Sequence, residues 1–151
     1  MNKITPFLWF DGKAEEAMRF YVSIFRNSKV LSVSPGPNGK AMSVTFELEG
    51  QAFMALNGGP EFKFTEAISL FVSCTTQEEV DDLWAKLTAD GGEESRCGWL
   101  KDKYGLSWQI IPTALMEMLG DQDPEKAGRA MEAMLTMSKI DIKALRAARD
   151  R

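Results

Sequence analysis

The fold of this chain is decided by residues 97–112, which read Cys-Gly-Trp-Leu-Lys-Asp-Lys-Tyr-Gly-Leu-Ser-Trp-Gln-Ile-Ile-Pro. The run predicts two β-strands joined by a tight turn at residues 102–105, where Gly105 can adopt a positive φ. Gln109 stands in the middle of the apolar second strand. A buried amide without a partner is costly, so Gln109 requires either a neighbouring backbone group or a ligand.

Working outward from this hairpin, the sequence repeats itself. Residues 14–24 align with residues 77–87 at a shift of 63, with two glutamates and the apolar positions of an amphipathic helix in common. The hairpin at Gly50 aligns with the one at Gly105 at a shift of 55. We therefore predict an α+β fold of two βαβββ modules, each with a helix on one sheet face and the other face open.

These modules lie within a single predicted domain, residues 1–151. Module one spans about 1–60, module two spans about 66–112, and a helical extension follows over 113–151. Within the extension, Asp123-Pro124 is typical of a helix start, and 141–149 predicts a last helix. Because these helices lie outside the repeat, we expect them to cover a sheet edge or a partner subunit.

Composition excludes several classes of function. The net charge is −4 and no cluster of Lys and Arg is present, which argues against a nucleic-acid partner. No apolar run approaches the ~18 residues of a membrane span, so no membrane partner is expected. Two cysteines and no signal-like start predict a cytoplasmic protein with free thiols.

The chain contains no histidine. This removes the commonest general base at neutral pH and the commonest ligand of transition metals. Triads of the Ser-His-Asp or Cys-His kind cannot be built within one chain.

Four runs carry a family resemblance: residues 7–12 (Phe-Leu-Trp-Phe-Asp-Gly), 53–60 (Phe-Met-Ala-Leu-Asn-Gly-Gly-Pro), 97–102 and 137–141 (Met-Ser-Lys-Ile-Asp). With them the chain resembles the vicinal oxygen chelate superfamily of glyoxalases, bleomycin-resistance proteins and dioxygenases. Within it, the chain is similar to the PhnB-like proteins, which are often labelled 3-demethylubiquinone 3-methyltransferase domains. The resemblance implies paired modules, each curved around a cleft, and a homodimer.

In metal-using members of that superfamily, ligands come from the first and last strands of each module. Carried over, these positions fall at Pro6 (or Thr5, if the placement is off by one), Met54, Ser69 and Gln109. Proline has no side-chain donor, the Met thioether is a soft ligand, and Ser and Gln are neutral. We therefore expect no metal and no other cofactor.

The first hypothesis is a metal-free module that binds an unidentified small molecule in an apolar cleft. The expected site is oriented by two polar residues and lined by four apolar ones: Ser69 and Gln109, with Met54, Phe71, Trp99 and Ile111. Core packing is the alternative for Trp99, and a backbone partner is the alternative for Gln109.

The second hypothesis is an enzyme. It would use either Cys97 as a nucleophile or an unrecognised metal in lyase or dioxygenase chemistry. The methyltransferase label conflicts with the sequence, because no Gly-rich turn follows a strand in a parallel βα series. A third hypothesis is a structural role, in which side chains fill the cleft.

Overall fold

The computed structural model describes residues 2–151. Two compact units divide the chain, the first ending at Phe64 and the second running over Thr65–Arg151. The elements of the first unit are β1 (Phe7–Phe10), α1 (Ala14–Ile24), β2 (Lys29–Pro35), β3 (Ala41–Leu48) and β4 (Gln51–Asn57). Those of the second are β5 (Ser69–Cys74), α2 (Gln77–Thr88), β6 (Glu93–Glu94), β7 (Trp99–Lys101), β8 (Ser107–Pro112), α3 (Thr113–Leu119), α4 (Pro124–Met134) and α5 (Ile142–Arg149).

The first unit is a four-stranded sheet in the order β1-β4-β3-β2, with β1 parallel to β4 and the other pairs antiparallel. Apolar residues at helical spacing in α1, among them Met18 and Tyr21, are fully buried. On the sheet, the rings of Phe46 and Phe53 stack with centroids 5.5 Å apart. Tyr21 lies 6.5 Å from Phe46, which places α1 on this face of the sheet.

The second unit repeats this plan with the order β5-β8-β7-β6 and β5 parallel to β8. The stripe predicted for α2, Val80, Leu83, Trp84 and Leu87, is buried as expected. Thr76 caps the helix by accepting a hydrogen bond from the Glu79 amide at 3.1 Å. The predicted α+β class and the glyoxalase-like fold, with one four-stranded sheet in each of two modules, are confirmed.

The central hairpin is fixed from inside its turn by Asp102, which is 2% exposed. Its carboxylate accepts hydrogen bonds from the amides of Tyr104 (2.8 Å) and Leu106 (3.1 Å) and from the Trp108 indole (2.9 Å). Gly105 has a φ of 86°, as a tight turn requires. The Asp102 side chain therefore fixes both the turn and the position of the Trp108 ring in β8.

The C-terminal helices enclose a second core that includes the end of β8. Ile111 is 4% exposed and packs in this core with buried residues of all three helices and of the α4–α5 connection: Leu115, Met118, Ala130, Ile140, Ile142 and Leu145. The extension was expected to cover a sheet edge or a partner subunit. Within the second unit it covers β8, a central strand and not an edge, because Ile111 projects from that strand on the face away from α2. Cover of a partner subunit stays a prediction.

Two pairs of hydrogen bonds to main-chain groups of the extension hold it in place. The amides of Cys97 and Gly98 donate to the carbonyls of Met137 and Ser138, each at 2.8 Å. The Gln77 side chain donates to the Ile140 carbonyl and accepts from the Ile142 amide, also at 2.8 Å each. Within residues 2–151, no helix combines the length and the apolar character that crossing a bilayer demands.

Candidate functional site

Strand register defines an open face on the second sheet. Residues paired across neighbouring strands project to the same side. Gln109 of β8 lies between Trp99 of β7 and Phe71 of β5. Ser107 lies in the same way between Lys101 and Ser69. The alternate residues of these strands, such as Leu100, Trp108 and Ile110, are buried on the face that α2 covers.

Gln109 and Ser69 were both nominated from the sequence, and the structure brings them together. The Gln109 amide nitrogen donates to the Ser69 hydroxyl at 3.0 Å, and both residues are half-buried. Within residues 2–151, the Gln109 carbonyl oxygen makes no hydrogen bond. Gln109 therefore has a side-chain partner and still presents an unused acceptor on the open face.

Ser107 is a site residue that the sequence reasoning missed. It is 1% exposed, and its hydroxyl oxygen is the one buried side-chain polar atom without a partner in the part of the chain that is described. An unsatisfied buried hydroxyl costs free energy and calls for an explanation. The available signal was its spacing, two residues before Gln109 on the same face of a strand.

Next to Ser107, Lys101 forms an ion pair with Glu66. A side-chain hydrogen bond and the charge of the partner raise the pKa of Lys101 and, together with a backbone hydrogen bond, lower the pKa of Glu66. Glu93, which pairs with Lys101 across β6 and β7, adds a second negative charge. The sequence offers no signal for this pairing, because Glu66 lies far from Lys101 along the chain.

Phe71 and Trp99 supply apolar surface on either side of Gln109. Phe71 is 49% exposed, and Trp99 is half-buried. Since both belong to strands paired with β8 at Gln109, their rings flank the amide. The open face at Gln109 therefore has aromatic surface on both sides.

Ile111, expected to line the same cleft, lies elsewhere. It is enclosed by the C-terminal helices, so its side chain is not presented on the open face. Strand alternation puts Ile111 on the same face of β8 as Gln109. The sequence pattern does not reveal that α3 and α5 cover this face of β8 at Ile111, two residues beyond Gln109.

Met54 lies in the first unit, on the open face of that unit's sheet, between Phe7 and Thr45.

The strand register also corrects the offset between the first strands of the two repeated modules. Phe7 pairs with Met54 and Phe71 pairs with Gln109, so 64 residues separate the first strands of the two modules. Ser69 therefore corresponds to Thr5, the alternative by one position, and not to Pro6.

The two cysteines differ in their surroundings. Cys97 is half-buried at a φ of 59°, and its amide anchors the extension through the Met137 carbonyl. Cys74 is fully buried, and burial followed by the Glu79 charge raises its pKa to about 12. A thiol held in its protonated form is a poor nucleophile.

The donor set at the positions implied for a metal does not fit a divalent cation. Thr5, Met54, Ser69 and Gln109 offer neutral oxygens and one thioether, and no carboxylate or imidazole. No group of three or more Cys, Asp or Glu side chains within residues 2–151 is arranged to hold a metal ion.

Comparison with known proteins places this architecture in a family. The family model described as 3-demethylubiquinone-9 3-methyltransferase matches residues 2–111. The chain belongs to this family. A PhnB protein from Bacillus cereus is 41% identical, with a TM-score of 0.69 over 74% of this chain and 99% of that protein. No curated protein matches the sequence significantly.

More distant structures share the fold of this PhnB-like chain. Protein PA1353 from Pseudomonas aeruginosa is 20% identical over 74% of this chain and 98% of its own, with a TM-score of 0.62. The fosfomycin resistance protein FosX from Listeria monocytogenes, complexed with Mn(II) and sulfate, is 16% identical over 71% and 88%, with a TM-score of 0.53. These two likenesses show a shared fold.

Proposed function

We propose that this PhnB-like protein binds a small planar molecule on the open face of the second sheet, without a metal. The observation that carries the proposal is the hydrogen bond from Gln109 to Ser69. It orients the amide and leaves its carbonyl oxygen without a hydrogen-bond partner among the described residues, on a strand position flanked by Phe71 and Trp99. Ligand sites typically combine apolar walls with a few oriented polar groups in this way.

The second unit alone supplies the groups that this proposal requires. Ser69 and Gln109 orient the ligand, while Phe71 and Trp99 provide the apolar contact. Each is held by a strand, so the positions of these side chains are set by the sheet and not by a loop. Ile111 is left out of the proposed site because the extension buries it.

Absence of a metal is part of the proposal, and it rests on the chemistry of the side chains. A serine hydroxyl and a glutamine amide do not balance the charge of a divalent cation. We expect purified protein to carry less than stoichiometric Mn, Fe, Ni or Zn by elemental analysis. Stoichiometric metal that also raises the melting temperature would argue for the enzyme hypothesis.

The family name suggests methyl transfer, and we propose that this chain does not carry it out. A methyl-donor site of the Rossmann kind needs a parallel βα series with a Gly-rich first turn. Each sheet here contains a single parallel pair. Incubation with S-adenosylmethionine and a demethylated quinone should leave both reactants unchanged.

The binding proposal is tested by thermal shift over a panel of planar metabolites, because a ligand that binds the folded state raises the melting temperature. Gln109→Leu and Ser69→Ala should remove the shift that wild type shows. Gln122→Leu, at an exposed position outside the sheet, is the matched control and should retain it. If Gln109→Leu leaves every shift unchanged, the open face is not the binding site.

A homodimer and a cytoplasmic location remain predictions, the first from the family resemblance and the second from composition. Analytical ultracentrifugation tests the oligomeric state directly. A mass equal to one chain at micromolar concentration would rule out a stable dimer.

A further inference from the structure

We infer that the open face of the second sheet selects an uncharged ligand group that both donates and accepts hydrogen bonds, and that the Glu66–Lys101 ion pair excludes carboxylates. A carboxamide or a hydroxyl beside a carbonyl is such a group. The inference rests on the proposed function and adds the chemical class of the ligand. Three features of the face lead to it.

The first feature is the set of unused hydrogen-bonding positions. Ser107 has a buried hydroxyl without a partner, and Ser69, which accepts from Gln109, still has its own hydroxyl hydrogen to donate. The Gln109 carbonyl oxygen is an unused acceptor. Donors and an acceptor thus lie side by side, and a ligand must supply both kinds of group to satisfy them.

A carboxylate matches this set poorly. It is acceptor-only when ionised, so it could receive the two serine hydroxyl hydrogens but would bring its charge against the Gln109 carbonyl oxygen. A carboxamide offers a carbonyl to the hydroxyls and an N–H to Gln109. The geometry of the face therefore favours the neutral group over the anion of the same shape.

Charge is the second feature. Lys101 is the cation nearest to Ser107 in the register, but its positive charge is already matched by Glu66. Glu93 lies beside Lys101 on the next strand, so the local balance is negative. The raised pKa of Lys101 and the lowered pKa of Glu66 keep both groups ionised at neutral pH. An incoming anion meets repulsion at this end of the face, where Lys101 is already paired.

The third feature is the position of the ion pair. Lys101 lies on β7, Glu66 lies three residues before β5, and β8 runs between these strands. The pair therefore spans β8 at the end where Ser107 lies. Glu66 lies outside the helices and strands, so a substitution at Glu66 does not change a residue of the sheet.

The test uses ligand pairs that differ only in the charged group: benzamide and benzoate, nicotinamide and nicotinate, salicylamide and salicylate. Binding is followed by NMR of the Gln109 side-chain amide and the Trp99 indole. In wild type we expect the amide of a pair to bind about fivefold more tightly than the carboxylate, as one solvent-exposed charge at close range implies.

Two variants separate the contributions. Glu66→Gln frees Lys101, so the carboxylates should gain affinity and the preference should shrink to about threefold or less, since the repulsion is replaced by an available cation. Ser107→Ala should weaken amide binding by about fivefold, the net worth of one hydrogen bond. Asp82→Asn, which removes the partner of Lys86 on α2 (3.0 Å), is the control and should change neither preference.

The outcomes are distinguishable. Equal affinity for amides and carboxylates, with both lost in Gln109→Leu, would overturn the charge selection and leave the binding site standing. An unchanged preference in Glu66→Gln would overturn the role of the ion pair. Failure of every planar probe, charged or neutral, to move the Gln109 and Trp99 signals would overturn both the inference and the proposed function.

Discussion

At the scale of single residues, Asp102 is expected to have a large effect on stability. Asp102→Ala leaves the amides of Tyr104 and Leu106 and the Trp108 indole without their acceptor inside the turn. We expect a loss of about 2–4 kcal/mol in the free energy of unfolding, as for a broken buried network. Urea denaturation measures it. Asp82→Ala, on the surface of α2, should cost less than about 1 kcal/mol.

The two thiols should differ in reactivity. Burial raises the pKa of Cys74 to about 12, so roughly one molecule in a thousand carries its thiolate at pH 9. Iodoacetamide should therefore modify Cys97 in the native protein, and Cys97→Ser should remove the labelling. Modification of two thiols per native chain at pH 8 would contradict the burial of Cys74.

The same group gives stability a pH dependence. Above its ordinary pKa of about 9 the Cys74 thiol ionises in the unfolded chain but stays protonated in the folded one until about pH 12. The unfolded state then binds fewer protons, so the free energy of unfolding falls as the pH rises from about 9 to about 12. Urea denaturation at pH 8 and pH 10.5 should reveal a smaller decline in Cys74→Ala than in wild type.

How far the sequence predicts the site depends on the residue. Ser69 and Gln109 could be nominated because the internal repeat and the resemblance point to the same strand positions, and they lie 3.0 Å apart in the structure. Ser107 was passed over because burial of a small polar residue has no signature in a single sequence. The partner of Lys101 was missed because Glu66 lies 35 positions earlier, in a segment without periodicity.

At the scale of the elements, two glycines should respond in opposite directions to alanine. Gly98 has a φ of 86°, and an added Cβ would lie 2.6 Å from the Ile111 side chain and 3.2 Å from Ile140. Gly98→Ala should cost about 2–4 kcal/mol, from the left-handed backbone and the overpacking together. Gly128 lies inside α4 with open space around it, so Gly128→Ala should add about 0.5–1 kcal/mol. Thermal denaturation compares the two variants.

The types of the elements could be predicted from the sequence pattern, whereas the residue offset between the two modules could not. The helix stripes and the Asp102–Gly105 turn have strong local signatures, and both were found where expected. The shift of 63 fits α1 and α2 but is one short for the strands before them. The reason is the connection, with three residues between β1 and α1 and two between β5 and α2.

At the scale of the whole molecule, the extension sets this chain apart from its relative. The family match ends at residue 111, and the Bacillus cereus protein is 99% covered by only 74% of this chain. Deletion of residues 113–151 should expose Ile111 and destabilise the second sheet. We expect binding of a hydrophobic dye and faster amide exchange in β8. Native-like protection of β8 in the truncated chain would show that the helices are dispensable.

The hydrogen bonds that attach the extension determine which of its residues can be substituted. At Met137 and Ser138 the acceptors are main-chain carbonyls, and every amino acid supplies the same oxygen there. Ser138, whose side chain is exposed, is therefore open to replacement by almost any residue without loosening the junction. Constraint falls instead on Gly98, the donor at this junction, where the absence of a side chain makes room for the side chains of Ile111 and Ile140.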